Sequence, residues 1–92
     1  MKIEFDPAKS ERNSRERGLP FGLMKAFDWE SSQTRDDVRF PYPEPRRVSV
    51  GYIGQRLYVV CHTPVEEGIR IISFRKANQR EIRKYEEAKA SH

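Results

Sequence analysis

Residues 56–75 read RLYVVCHTPVEEGIRIISFR and contain two apolar segments separated by a turn. The first segment, residues 56–63, carries apolar side chains on both faces of a strand, which is typical of the centre of a sheet. The second, residues 69–75, is predicted to return antiparallel after a turn over residues 64–68. This hairpin decides the fold, and the remaining elements are predicted outward from it.

A further strand and its flanking loops precede this hairpin. Residues 47–53 place Val48, Val50 and Tyr52 on one face, and Gly54-Gln55 suits a two-residue type II′ turn into the next strand. Residues 40–45 contain three prolines and are expected to be extended without forming a central strand. Residues 28–38 are predicted to be a loop.

The N-terminal part predicts a strand followed by a helix. Residues 2–5 alternate in polarity, as a short strand does. Asp6 and Pro7 then form a helix start, because Asp caps free N–H groups and Pro at the first helical position has no N–H to satisfy. The helix is expected to run to about Arg17 and to end at Gly18.

Two more helices complete the predicted fold. Leu19-Pro20 opens a short one, and the last begins near Ala77 with Ile82 and Tyr85 at helical spacing. The buried stripe of the short helix is expected to be Phe21, Leu23, Met24 and Phe27. The expected architecture is α+β in the order β-α-α-β-β-β-α, an antiparallel meander sheet with the helices on one face, in one domain over residues 1–92.

Composition excludes several classes of protein. The 92 residues include no apolar run near the roughly 20 that a membrane span needs. Cys61 is the single cysteine, so no internal disulfide forms, and a cytoplasmic location fits best. With one cysteine, histidines only at positions 62 and 92, and no phosphate-loop glycine pattern, neither a metal nor another cofactor is expected.

The positive charge is concentrated in one segment. The chain has 18 Lys and Arg against 14 Asp and Glu, a formal net charge of +4. Residues 70–84 hold six bases and one acid, and residues 9–17 hold four bases and two acids. Solvated helix faces would account for such runs, and so would a patch that binds a polyanion.

Arginines and one histidine are expected near one another on the sheet. His62 lies late in the central strand, Arg70 and Arg75 lie on the next strand, and Arg46 and Arg47 enter the previous one. Metal-free RNA cleavage needs a base for the 2′-OH, an acid for the leaving oxygen and cations for the phosphate. A partly buried structural histidine is the alternative for His62. Strict alternation separates Arg70 from Arg75, unless the strand bulges or ends before Arg75; an early end is the favoured reading.

Motifs at both ends of the chain resemble the BrnT family of toxins, over about residues 3–88. The N-terminal motif comprises residues 5–9, Asn13 and residues 18–21. The C-terminal motif is more specific and comprises residues 59–63, 69–77, 80–81 and 85–86. The resemblance implies a RelE-like fold, an endoribonuclease toxin of a type II toxin–antitoxin pair, and a BrnA-type antitoxin through which alone operator DNA is bound.

The resemblance also suggests site residues. The expected catalytic residues are His62, Arg46, Arg70, Arg75 and Glu44. The residues expected to hold RNA are Lys9, Arg47, Lys76 and Arg80. Relatives carry Glu-Arg where this chain has Pro45-Arg46, so Glu44 is one place displaced and His62 or Lys9 is an alternative base.

Two further functions stay open at this point. The chain could be a catalytically weakened module whose basic patch docks its antitoxin. A DNA-binding regulator is less favoured, because no helix-turn-helix is evident.

Overall fold

The hairpin of residues 56–75 is the centre of a five-stranded sheet in the computed structural model, which describes residues 1–91. Five strands, two α-helices and one 3₁₀ helix follow in the chain order β1 (Lys2–Glu4), α1 (Pro7–Arg17), the 3₁₀ helix (Phe21–Ala26), β2 (Gln33–Asp36), β3 (Arg47–Ile53), β4 (Arg56–Val65), β5 (Gly68–Lys76) and α2 (Gln79–Ala90). The predicted α+β class is confirmed.

The sheet is mixed, with the spatial order β1-β5-β4-β3-β2. Strands β2 to β5 form the expected antiparallel meander, but β1 pairs parallel with β5, so the all-antiparallel prediction is wrong. Parallel neighbours need a long connection. Everything from α1 to the β4–β5 turn separates these two strands in the chain, which allows the parallel pairing.

Strand β2 lies within residues 28–38, which were predicted to be a loop. It pairs with β3 from Gln33 opposite Val50 to Asp36 opposite Arg47. The strand has no alternating apolar residues because it lies at the sheet edge and is mostly exposed. Main-chain pairing and a 2.7 Å hydrogen bond between the Thr34 and Ser49 hydroxyls hold it instead.

The helices cover both faces of the sheet, so the prediction that they share one face is wrong. We call the side of Val60, Ile71 and Phe74 the core face; α1 and the 3₁₀ helix lie against it. We call the side of Val59 and Cys61 the arginine face, and α2 packs on part of it through Tyr85. Strand β4 has apolar side chains on both faces, and different helices therefore bury the two sets.

The predicted ends of α1 are confirmed. The Asp6 carboxylate accepts a hydrogen bond from the Ala8 N–H at 2.9 Å, and Pro7 is the first helical residue. Gly18 ends the helix with φ 70°, a left-handed conformation that glycine adopts without steric cost. Because α1 is very polar, its attachment depends on buried Ser10, whose Oγ accepts from the Phe21 N–H at 2.9 Å.

The short helix is a 3₁₀ helix, and its buried side chains recur every three residues. Phe21, Met24 and Phe27 are buried as predicted, whereas Leu23 is exposed. A 3₁₀ helix has three residues per turn, so its buried stripe excludes Leu23. Phe27 packs directly on β3 at Gly51, where a Cβ would lie 2.6 Å from the Phe27 ring.

Helix α2 begins two residues later than predicted, because Asn78 caps it. The Asn78 side chain accepts from the Glu81 N–H, and the Glu81 carboxylate accepts from the Asn78 N–H, both at 2.9 Å. This capping box fixes the start at Gln79. It also places the Glu81 carboxylate beside the end of β5.

A β-bulge interrupts the pairing of β5 with β4. His62 is opposite Ile71 and Cys61 is opposite Ser73, so Ile72 has no partner. The extra residue reverses the alternation, and Ile69, Ile71 and Phe74 all reach the core face. Strand β5 continues to Lys76, so the expected early end is wrong and the bulge is what places Arg70 and Arg75 on one face.

Deleting Ile72 is expected to leave the fold intact. The remaining residues then alternate regularly and keep their partners, so Phe74 stays in the core. We expect a loss of about 1–2 kcal/mol in unfolding free energy, because one half-buried side chain is removed. Urea denaturation followed by Trp29 fluorescence measures this loss.

Deleting Val60 is the matched control. Strand β4 has no extra residue at this position, so the deletion reverses every side chain beyond it. This variant is expected not to fold. Equal damage from the two deletions would contradict the assigned bulge.

Candidate functional site

Three side chains of β5 share the arginine face with β4. Arg70 is opposite Thr63, Ser73 is opposite Cys61, and Arg75 is opposite Val59. The two arginines are four β4 residues apart, or about 13 Å along the strand. Helix α2 leaves this part of the face open, since Arg70 and Ser73 are exposed and Arg75 is partly exposed.

Arg46 joins this face from the start of β3. The Thr63 hydroxyl donates to the Pro45 carbonyl at 2.6 Å, and the Asp37 N–H donates to the Arg46 carbonyl at 2.8 Å. Arg46 therefore lies between β4 and the residue that follows β2. Its main chain thus adjoins Thr63, which lies on the same face as Arg70 and Arg75.

Each arginine of this group, and Arg39 near it, is hydrogen-bonded to a carboxylate. The Nη atoms of Arg75 bond both Glu81 oxygens at 2.8 and 2.7 Å. The other pairs are Arg70 with Glu4 (2.9 and 2.6 Å), Arg46 with Glu44 (3.3 and 3.2 Å) and Arg39 with Asp37 (2.9 and 2.8 Å). These contacts orient the guanidinium groups and offset their mutual repulsion.

Two of these carboxylates are held strongly in the ionised form. The hydrogen bond from Arg39 lowers the pKa of Asp37 to about 2, and the bond from Arg75 lowers the pKa of Glu81 to about 2. Such weakly basic carboxylates are poor proton acceptors near neutral pH. Asp37 and Glu81 are therefore suited to positioning arginines.

His62 lies on the other side of the sheet, so the expectation that it meets the arginines is wrong. It is 4% exposed, its Nε2 is 2.8 Å from the Ser49 hydroxyl, and its ring packs edge-on against Trp29 at 5.3 Å. Burial, with a smaller effect from the charge of Arg47, lowers the pKa of His62 to about 4. Its neutral side chain belongs to the core, as the structural alternative proposed.

The other expected residues are dispersed. Arg47 is opposite His62 on the core face and pairs with Asp36 at 3.8 Å. Lys76 is opposite Tyr58, which also packs on the core face, and Lys9 is exposed on α1. Of the four residues expected to hold RNA, Arg80 alone lies beside the arginine face, in a groove of about 430 Å³ between β2 and α2.

Sequence reasoning missed Asp37 and Arg39. Asp37 is a buried carboxylate that binds Arg39 in a two-bond fork and lies 4.0 Å from the Cys61 Sγ. Asp37 falls in the segment 28–38 that is predicted to be a loop, and Arg39 directly follows that segment. The Asp-x-Arg spacing was the available signal, but only the pairing of β2 with β3 brings it to the arginine face.

Residues 1–91 contain no group of three or more His, Cys, Asp or Glu side chains placed to hold a metal ion. Within the same residues, no helix is long and apolar enough to cross a membrane.

The fold and the site define an α+β protein with an open sheet face lined by arginines, a surface suited to binding phosphate groups. Residues 5–81 match the family described as BrnT, the ribonuclease toxin of type II toxin–antitoxin systems, and the chain belongs to this family. Its members are toxins with an antitoxin protein as partner. No curated protein matches the chain. No solved structure matches it either, and the RelE-like fold stays a prediction.

The buried histidine predicts how stability depends on pH. The folded-state pKa of about 4 lies below the ordinary histidine pKa of 6.5, so the unfolded chain binds the proton first as pH falls. The contribution of His62 is fully present above pH 6.5 and is lost as pH falls towards 4, by on the order of 3 kcal/mol. Urea denaturation at pH 7.5, 6, 5 and 4 measures this loss.

Two substitutions make the pH prediction specific. In His62→Gln, an amide can still bond Ser49, and the fall in stability between pH 6.5 and 4 should be largely removed. Cys61→Ala on the opposite face should keep the fall. A variant His62→Gln with the wild-type pH profile would show that another group controls stability in this range.

Proposed function

We propose that the protein is a metal-independent endoribonuclease that cleaves RNA through attack of a 2′-OH on the adjacent phosphate, and that a BrnA-type antitoxin neutralises it. The observation that carries the proposal is the convergence of Arg46, Arg70 and Arg75 on one open sheet face. Operator DNA would be bound only through the antitoxin.

The arginines would hold and stabilise the reacting phosphate. A phosphodiester that is attacked by its own 2′-oxygen gains negative charge as the phosphorane forms. Guanidinium groups stay charged and bind phosphate oxygens in a planar fork. Arg46 and Arg70 both adjoin Thr63, one from each neighbouring strand, so a phosphate above Thr63 could contact both.

Glu44 is the proposed general base. It is about 40% exposed and bonds Arg46 at 3.2 Å, so its carboxylate lies at the solvent side of the arginine group. Asp37 and Glu81 are too weakly basic, and His62 is buried on the opposite face. The one-place displacement of Glu44 from the family pattern therefore still leaves a carboxylate beside Arg46.

A binding module is the second candidate function, and the paired arginines favour it. Each guanidinium already donates hydrogen bonds to a carboxylate, and acidic side chains of an antitoxin could take the place of these carboxylates. Arg80 and Lys84 in the groove beside α2 would extend such a surface. Both candidates bind an antitoxin, so only cleavage distinguishes them.

Removing single arginines tests the nuclease. Arg46→Ala and Arg70→Ala should each lower kcat/KM for RNA by about 100-fold, since each loses a charged contact to the phosphorane. Arg75→Ala should lower it less, because Arg75 lies about 13 Å further along β5 and would contact a neighbouring part of the RNA. Arg12→Ala on the exposed side of α1 makes the same charge change and should cleave at the wild-type rate. Cleavage is measured with purified toxin and a labelled oligoribonucleotide in EDTA.

The cleavage products test the mechanism. Attack by the 2′-OH leaves a 2′,3′-cyclic phosphate, and a substrate with 2′-deoxyribose at the scissile position should be resistant. Activity that EDTA abolishes would contradict metal independence. A folded toxin that neither cleaves RNA nor arrests growth when expressed alone would leave the binding module as the function.

Releasing one arginine from its carboxylate should strengthen RNA binding. Glu81→Gln keeps a side chain that can complete the capping box, but it removes the charge that Arg75 neutralises. We expect severalfold tighter binding of a non-cleavable oligonucleotide at low salt, measured by fluorescence anisotropy. Glu86→Gln, exposed on the same helix, is the matched control and should have a smaller effect.

A further inference from the structure

We propose that the loop of residues 37–46, here called the proline loop, holds an unpaired RNA base against the ring of Phe40, next to the arginines that bind the scissile phosphate. The inference rests on the proposed function in taking RNA as the ligand. It assigns RNA binding to Phe40, a residue that takes no part in the cleavage step. It also implies that the bound part of the substrate is single-stranded.

The proline loop is closed at its base and stiff. The Asp37 N–H donates to the Arg46 carbonyl at 2.8 Å, which joins the two ends. Asp37 also binds the Arg39 side chain and accepts from the Arg39 N–H at 3.3 Å. Three prolines, at positions 41, 43 and 45, restrict φ between these ends. A ring carried by this loop is therefore positioned before RNA binds.

Two aromatic rings and one guanidinium group are in contact along the loop. The Arg46 guanidinium carbon lies 4.1 Å from the centre of the Tyr42 ring. Tyr42 in turn contacts Phe40 at 5.8 Å between ring centres, with the rings 74° apart. Tyr42 therefore contacts both Arg46 and Phe40 and connects the ring of Phe40 to the arginine face.

Phe40 is exposed where a protein normally buries such a ring. Its side chain is 65% exposed, although it adjoins Tyr42. An exposed aromatic ring beside arginines matches a nucleotide, since the base offers a flat face and the phosphate offers charge. Bases within a duplex are already stacked on their neighbours, so only an unpaired base can occupy this ring.

A segment of the antitoxin is the alternative occupant of this loop. The role of Val38 distinguishes it from RNA. Val38 is also exposed, at 84%, and lies in the same loop. A protein segment that covers this surface would gain from burying both side chains. A base stacks on the ring alone and has no such requirement of Val38. The hollow beside Phe40 is also lined by Arg39, Arg46 and Arg47. A nucleotide offers a flat base to the ring and a phosphate to a guanidinium group, and we therefore commit to RNA as the occupant.

The test uses full-length toxin and a labelled 2′-O-methyl oligoribonucleotide, which has no free 2′-OH and resists cleavage. Phe40→Leu should weaken its binding by 10-fold or more, because leucine keeps apolar area but has no π-face. Phe40→Trp should restore or exceed wild-type binding. Val38→Ala should change binding by less than twofold, and binding of a duplex of the same sequence should not depend on residue 40.

The outcomes separate this inference from the proposed function. Equal binding by wild type and Phe40→Leu overturns the inference, and so does a loss of antitoxin binding without a loss of oligonucleotide binding. If the oligonucleotide binds with the expected dependence on residue 40 but natural RNA is not cleaved, the stacking site stands and the proposed catalysis fails.

Discussion

The single extra residue in β5 determines which side chains this sheet buries and which it exposes. With strict alternation, Phe74 would share a face with Arg70, and one of them would be misplaced. The bulge at Ile72 absorbs the mismatch, so Phe74 packs with Ile71 in the core while Arg70 and Arg75 point away from it. Core packing and the arginine face therefore have one structural cause. Removing a large buried aromatic side chain costs about 3–5 kcal/mol. The burial of Phe74 therefore decides which face of the sheet the end of β5 turns towards the core.

An open surface with several arginines needs something to offset their mutual repulsion, and the neighbouring segments supply it. Glu4 comes from β1, Glu81 from the first turn of α2, and Asp37 from the end of β2. Glu81 also serves its own element, because it completes the capping box of α2. The arrangement orients the guanidinium forks in advance. A phosphate that bound here would have to share or displace carboxylates that are already bound, so its binding would be a competition between anions.

The sequence was sufficient for the elements whose signals are local. The central hairpin and both ends of α1 follow from apolar runs and cap residues, and they were predicted correctly. Strand β2 was not, because an exposed edge strand such as Gln33–Asp36 has no apolar alternation to detect. The faces were misassigned for a different reason. A bulge is visible only in the pairing between two strands. The sequence of β5 alone shows that Ile69 and Ile71 predict one buried face while Phe74 predicts the other. Whether His62 lies on the same face as Arg70 depended on the same bulge.

His62 illustrates how a residue that suits catalysis can instead support the site. Its Nε2 is bonded to Ser49, and the Ser49 hydroxyl is bonded to Thr34, which links β4, β3 and the edge strand β2. Strand β2 has almost no apolar residues to anchor it, so these bonds carry part of its attachment. Because β2 leads directly to Asp37 and the proline loop, the histidine stabilises the arginine face from behind. Its neutrality matters there, since a charged ring that is buried and near Arg47 would be unfavourable.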